Sequence, residues 1–232
     1  MIKRLLLLPP LLLASCLLGA QTETVTGKVV IQQNGKPLPS AASAVVWLTP
    51  TKGEAPRPAE KVFRLVQKNK HFSPHLLVVP IGSAVLFPNE DPFFHNVFSV
   101  YEGTRFDLGL YESGSSKEVR FNRPGASYIF CNIHPEMSAV IMVMTTPYYA
   151  TTDATGDYSI EAVPPGDYEF SVWYESALPE QFKQLQRRVT ISATNARLDP
   201  VTVQAAPSLA VNHKNKYGQD YERRPPYPLP QD

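Results

Sequence analysis

Short runs rich in Val, Ile, Phe and Tyr follow one another along most of this chain, separated by Gly, Pro, Asn or Asp. Such runs are typical of β-strands, and the residues between them are typical of turns. Proline fills 23 of the 232 positions, well above its average share of ~5%, and this suits an all-β chain with many turns. The predicted strands lie within 24–32, 44–50, 75–80, 83–89, 96–101, 117–122, 126–132, 138–144, 156–163, 166–175, 187–193 and 198–204.

Alternation of apolar and polar residues strengthens two of these strand predictions. "KEVRF" (117–121) and "YEFSVW" (168–173) alternate with a period of two, which indicates a sheet with one buried face. The segment 180–188 could form one or two helical turns and is interpreted as a connector. The sequence therefore predicts an all-β fold made of β-sandwiches.

The charges of the chain nearly cancel. It has 22 Lys and Arg residues against 21 Asp and Glu residues, for a net charge of +1. No basic field that would attract nucleic acid is present, and no long acidic run either. We therefore expect no nucleic-acid partner.

The N-terminus has the pattern of an export signal, in which Lys3 and Arg4 precede the apolar run 5–13. That run is too short and too interrupted by proline to be a good membrane span. Two alternatives remain for its processing. Cleavage after Ala20 would release a soluble protein, whereas "LASC" (13–16) resembles a bacterial lipoprotein box with Cys16 as the lipidated residue. Both predict a periplasmic or extracytoplasmic protein.

The second cysteine of the chain has no partner for a disulfide. Cys16 belongs to the export signal, so Cys131 is left alone in a compartment that favours disulfides. It stands in "FCNIHPEM" (130–137), where Cys131, His134 and Met137 have the spacing C-x2-H-x2-M. A thiolate, an imidazole and a thioether together suit copper. The alternative is a buried free cysteine that packs as a small apolar residue.

A copper site of this kind needs a second histidine, and His95 is the best candidate. It follows a turn and begins a strand-like run, so it could point into a cleft between strands. His75 is interpreted as an ordinary strand-edge histidine, and His71 and His213 as solvated residues. Met142 and Met144 alternate within a strand and are expected in a core. Of Phe93 and Phe94, one is expected in the core and one in an exposed patch near the site.

Residues 62–146 resemble the cupredoxins, the small blue copper proteins such as amicyanin, pseudoazurin and plastocyanin. "FSPHLLVVPIGSAVLFPNEDPFFHNVFS" (72–99) matches their early strands, and "GASYIFCNIHPEM" (125–137) matches their ligand loop. The resemblance implies a Greek-key β-sandwich that holds one type 1 copper ion. It also implies that His95, Cys131 and His134 are the strong ligands, that Met137 is the weak axial ligand, and that the amide of Asn96 ties the two ligand loops together.

The segments on either side resemble two halves of another domain. "VTGKVVIQQNGKPLPSAASAVVWL" (25–48) and "TTDATGDYSIEAVPPGDYEFSVW" (151–173) are similar to the carboxypeptidase regulatory-like, or transthyretin-like, β-sandwich. Polar or Pro-rich breaks at 51–60 and near 145–149 frame the middle unit, so we expect it to be inserted into a surface loop. The predicted division is a signal peptide at 1–20, the first half-sandwich at 21–58, the cupredoxin domain at 59–146, the second half-sandwich at 147–205 and a Pro-rich, extended or disordered tail at 206–232.

The small number of possible ligands argues against an enzyme. The chain has five histidines, and a multicopper oxidase or a nitrite reductase needs more of them in suitable places. A binuclear copper centre needs two cysteines, and Cys131 stands alone. The sequence therefore predicts a monomeric one-electron carrier whose partner is a redox protein such as a cytochrome or a dehydrogenase. A copper storage or delivery protein, and a cell-surface binding or structural protein with a vestigial metal site, remain as alternatives.

Overall fold

The computed structural model describes residues 21–100, 102–206 and 214–221. Across these residues the chain forms strands and one short helix, so the prediction of an all-β sandwich fold is confirmed. The predicted export signal, with Cys16 and Ala20, lies outside the described residues. Within the described part of the chain, no helix is both long and apolar enough to cross a membrane.

The strands fall into three groups along the chain. The first group is β1 (Glu23–Gln33), β2 (Lys36–Pro37) and β3 (Val45–Pro50). The second is β4 (Val62–Arg64), β5 (Val66–Lys68), β6 (His71–Ser73), β7 (Leu76–Pro80), β8 (Ala84–Pro88), β9 (His95–Ser99), β10 (Phe106–Tyr111), β11 (Ser116–Arg120), β12 (Gly125–Phe130) and β13 (Ser138–Met144). The third is β14 (Tyr149–Thr151), β15 (Asp157–Val163), β16 (Gly166–Trp173), helix α1 (Pro179–Leu185), β17 (Arg187–Ile191) and β18 (Val201–Gln204).

The middle group builds its own sandwich. One sheet has the strand order β10-β9-β12-β13-β7 and the other the order β11-β8-β4, while β5 and β6 form a separate hairpin. Large apolar side chains fill the space between the sheets, among them Phe87, Phe121, Ile129 and Ile141. Burial of such side chains is the main stabilising term in a fold of this kind.

The first and third groups pair with each other. β1 lies between β15 and β18, and β3 lies between β14 and β16. A second apolar core, which includes Val29, Leu48, Ile160 and Phe170, belongs to these outer strands. The boundaries of the domains and the transthyretin-like resemblance stay predictions.

Strand β13 joins the two units because both of its faces are buried. Ala139, Ile141 and Val143 face the core of the middle sandwich. Val140, Met142 and Met144 face a third apolar cluster, which also contains Val45 and Trp173 of the outer strands. A strand buried on both faces has a continuous apolar sequence, as "AVIMVM" (139–144) has.

Candidate metal centre

Two neighbouring strands bring the first two candidate ligands together. His95 is the first residue of β9, and Cys131 directly follows the end of β12. These strands are paired at Phe98 and Phe130, so the two side chains lie at the same end of the sandwich.

A tight loop returns the third candidate ligand to the same place. The backbone N–H of Cys131 donates to the carbonyl of Met137 at 3.2 Å, and the N–H of Met137 donates to the carbonyl of His134 at 3.0 Å. These bonds close the loop 131–137 on itself and fold His134 back over Cys131.

The three side chains converge on one point. The Cys131 Sγ lies 3.8 Å from the His95 Nδ1 and 3.6 Å from the His134 Nδ1, and the two nitrogens are 3.2 Å apart. Among the described residues, this is the group of His, Cys, Asp and Glu whose ligand atoms come together closely enough for a metal ion. A metal ion ~2.0–2.1 Å from nitrogen and ~2.3 Å from sulfur would leave its ligand atoms about 3.3–3.8 Å apart. The donor set therefore fits a metal ion.

The sulfur of Cys131 lies in a fully buried position. Burial raises the pKa of the thiol above its ordinary value, while backbone N–H groups of Asn96, Ile133 and His134 favour the thiolate and oppose that effect. A cation would reverse the balance, because a thiol that binds a metal ion loses its proton. The backbone around Cys131 is thus already arranged for a thiolate.

His95 has a fixed orientation because a buried carboxylate contacts its other ring nitrogen. The His95 Nε2 lies 2.7 Å from the Asp91 Oδ2, and both side chains are almost completely buried. A carboxylate accepts hydrogen bonds, so Nε2 carries the proton and Nδ1 offers its lone pair to the site.

The carboxyl group of Asp91 is itself held in place. The backbone N–H of Asn69 donates to Oδ1 at 2.6 Å, and that of Lys70 donates to Oδ2 at 2.9 Å. Burial alone would raise the pKa of Asp91. The hydrogen bonds from Lys70, from His95 and from Asn69 lower it by more, so that the pKa of this carboxyl lies below its ordinary value.

Asn96 contacts the site through its backbone rather than through its amide. The resemblance predicts that the amide ties the two ligand loops together. In the structure the amide nitrogen instead donates to the Asp107 Oδ1 of β10 at 2.8 Å. The backbone N–H of Asn96 is directed at the Cys131 sulfur, because β9 runs past that sulfur.

Met137 is fully buried in the same apolar core as Cys131. Its backbone closes the ligand loop through the two hydrogen bonds described above. The role of its thioether as a fourth ligand stays a prediction.

The ring of Phe93 lies against the outer edge of the centre. Phe93 and Phe94 are 36% and 56% exposed, so the prediction that one of them lies in the core is wrong. The Phe93 ring contacts both histidine rings, with centroids 5.2 Å from that of His95 and 5.7 Å from that of His134. His134 is half-buried and Pro135 is exposed, so the edge of His134 lies near the surface.

The other histidines make contacts elsewhere. The His71 Nδ1 lies 2.7 Å from the carbonyl of Asn69 within its own hairpin. His75 lies between Glu175 and the carbonyl of Ser138. His213 lies outside the described residues.

The C-terminal segment also reaches the ligand loop. The Tyr221 hydroxyl donates to the carbonyl of Cys131 at 2.7 Å, and the backbone N–H of Lys216 donates to the Asn132 Oδ1 at 3.0 Å. The Lys216 ammonium group lies 2.7 Å from the Asp107 carboxylate. Sequence analysis predicted an extended or disordered tail and missed these contacts, because the segment has no apolar pattern that would place it against a core.

Comparison with known proteins shows that this chain is similar to several solved structures. No protein-family model matches the chain, and no curated protein matches it significantly. A purple cupredoxin from Nitrosopumilus maritimus is 22% identical, over 35% of this chain and 98% of its own, with a TM-score of 0.32. Amicyanin from Paracoccus versutus is 20% identical, over 43% of this chain and 97% of its own, with a TM-score of 0.33.

A copper-containing nitrite reductase from Thermus scotoductus SA-01 is 25% identical, over 42% of this chain and 25% of its own, with a TM-score of 0.34. All three TM-scores lie below 0.5, so the chemistry of the centre is inferred from the residues of this chain alone.

Proposed function

We propose that this chain is an extracytoplasmic type 1 copper protein that binds one copper ion and carries one electron at a time. The observation that supports this proposal is the convergence of the His95 Nδ1, the Cys131 Sγ and the His134 Nδ1 within 4.8 Å of one another. One thiolate and two imidazoles are the strong donors of a blue copper site, and the proposed weak fourth donor, Met137, argues against zinc, whose structural sites have four strong ligands.

The protein around the centre is suited to electron transfer. A copper ion bound there would exchange one electron by alternating between its oxidised and reduced states. Cys131 and His95 are fully buried at the ends of paired strands, and the loop that carries His134 is closed by its own hydrogen bonds. Ligands fixed in this way can serve both oxidation states with little rearrangement, which favours rapid exchange.

The surface next to the centre suggests how a partner would approach. The half-buried edge of His134 lies beside the Phe93 ring and next to the exposed Pro135, and this surface offers an apolar docking point. The net charge of +1 predicts only mild dependence on salt, because long-range steering needs a strong field. The proposed partner is a redox protein such as a cytochrome or a dehydrogenase, and the proposed function includes no chemical turnover of a small molecule.

The spectrum of the purified protein tests the metal site. We expect one copper ion per chain and an intense thiolate-to-copper band in the oxidised protein. Cys131→Ser should abolish that band, because a hydroxyl oxygen cannot supply the covalency of the thiolate. His134→Gln should weaken or abolish it, whereas His71→Gln is the matched control and should leave it unchanged. Strong colour in Cys131→Ser would contradict the assignment.

Rapid mixing then separates an electron carrier from a copper donor. The reduced protein is mixed with an oxidised cytochrome in one experiment and with a copper-free acceptor protein in another. A carrier loses its electron rapidly in the first and keeps its copper in the second. Slow electron exchange together with ready transfer of copper would support storage or delivery instead.

A further inference from the structure

The contact between Asp91 and His95 places a full negative charge one imidazole ring away from the proposed copper ion. Oδ2 of Asp91 is 2.7 Å from the His95 Nε2, and the side chains are 4% and 0% exposed. Water cannot screen a pair at this depth as it does at the surface. The contact with Asp91 therefore affects the strength of His95 as a metal ligand as well as the orientation of its ring.

A distant hairpin fixes the carboxylate. β5 and β6 are joined by Asn69 and Lys70, and both of these residues have positive φ, at 54° and 57°. This backbone conformation occurs in tight two-residue hairpin turns. Here it directs both N–H groups at the carboxylate of Asp91. The backbone N–H of Asp91 in turn donates to the Asn89 Oδ1 at 3.1 Å, so the backbone that carries the carboxylate is held as well.

We propose that Asp91 is a positioning residue that acts through His95 to stabilise the oxidised form of the bound copper over the reduced form; this inference rests on the proposed function. A ligand histidine that donates its second N–H to a carboxylate becomes a stronger donor. The fixed negative charge also favours the more highly charged ion. Both effects lower the reduction potential.

A second carboxylate near the centre, that of Glu136, provides a control for the effect of charge alone. Glu136 belongs to the ligand loop and is exposed to solvent, and its charge acts on Cys131 only through space. Glu136→Gln therefore removes a nearby charge without changing a hydrogen bond to a ligand. Asp91→Asn removes a charge that acts through a hydrogen bond, because an amide oxygen is a neutral and weaker acceptor for the His95 Nε2–H than a carboxylate oxygen.

A redox titration of the copper-loaded protein, followed by the visible band, tests the proposal. In Asp91→Asn we expect the ratio of oxidised to reduced protein at a fixed ambient potential to fall at least tenfold, which corresponds to a potential raised by ~59 mV for one electron. Glu136→Gln should shift that ratio by clearly less. A potential of Asp91→Asn equal to that of the native protein or of Glu136→Gln would overturn the proposal, because a purely structural role would change stability alone.

The native protein allows a measurement that does not depend on the folding of a variant. In its reduced form, the Nε2–H proton of His95 should give a nuclear magnetic resonance signal that exchanges slowly with water, while the exposed His71 should give none. Loss of the His95 signal by rapid exchange would overturn the proposal. A native protein that binds no copper would instead refute the proposed function, so the two failures are distinguishable.

Discussion

At the scale of single residues, a substitution of Met137 tests whether its thioether is the fourth ligand of the metal. Met137→Leu keeps the apolar volume in the buried core but removes the weak sulfur donor. The variant should stay folded and coloured, with its reduction potential raised, because the oxidised ion depends more on that donor. A redox titration measures the change. Met142→Leu, in the cluster between the two units, is the control and should leave the potential unchanged. An unchanged potential in Met137→Leu would mean that its thioether does not face the metal.

The candidate ligands could be found in the sequence because three of them lie in one short loop. Cys131, His134 and Met137 are so close in the chain that a single turn can bring them together, and His95 stands where a strand begins. Asp91 could not be predicted in the same way. Its contacts come from Asn69 and Lys70, which are far away in the chain and reach it only after the hairpin has packed. The amide of Asn96 also bonds to β10, a strand that the sequence did not reveal.

At the scale of elements, β10 shows why a strand can be missed. Its pairing with β9 shifts register between Asp107 and Leu110, and Gly109 there has a positive φ of 65°. A bulge interrupts the alternation on which prediction depends. β13 is a strand that the sequence did predict, from its continuous apolar run. That run did not reveal that one face of the strand packs against a second unit.

The C-terminal segment 214–221 should help to hold the ligand loop. Tyr221→Phe removes the hydroxyl that donates to the carbonyl of Cys131, a bond worth ~0.5–1.5 kcal/mol. We expect the variant to release copper to a chelator a few-fold faster, because the loop opens more often. Tyr217→Phe, in the same segment but 71% exposed, is the matched control and should release copper at the native rate. Equal release rates in the two variants would show that the segment does not support the loop.

At the scale of the whole molecule, two sandwiches meet along β13 and are also joined by an ion pair. The His75 Nε2 lies 2.6 Å from the Glu175 Oε2, and its Nδ1 lies 3.1 Å from the carbonyl of Ser138. Both ring nitrogens therefore face oxygen atoms that accept hydrogen bonds. This environment favours the doubly protonated ring, and the hydrogen bond to Glu175, opposed in part by burial, raises the pKa of His75 above its ordinary value.

The raised pKa of His75 predicts that the link between the sandwiches weakens as the pH rises. Since the folded protein binds this proton more tightly than the unfolded chain does, the stabilisation is complete below the unfolded pKa of ~6.5 and disappears as the pH rises through the higher folded pKa. The side chain of His75 is 52% exposed, so water screens the pair and the effect is about 1 kcal/mol or less. His75→Gln should therefore lower the melting temperature more at pH 5.5 than at pH 9, whereas His71→Gln, within its own hairpin, should lower it little at either pH. If His75→Gln lowered the melting temperature equally at both pH values, packing rather than the charged pair would hold the two sandwiches together.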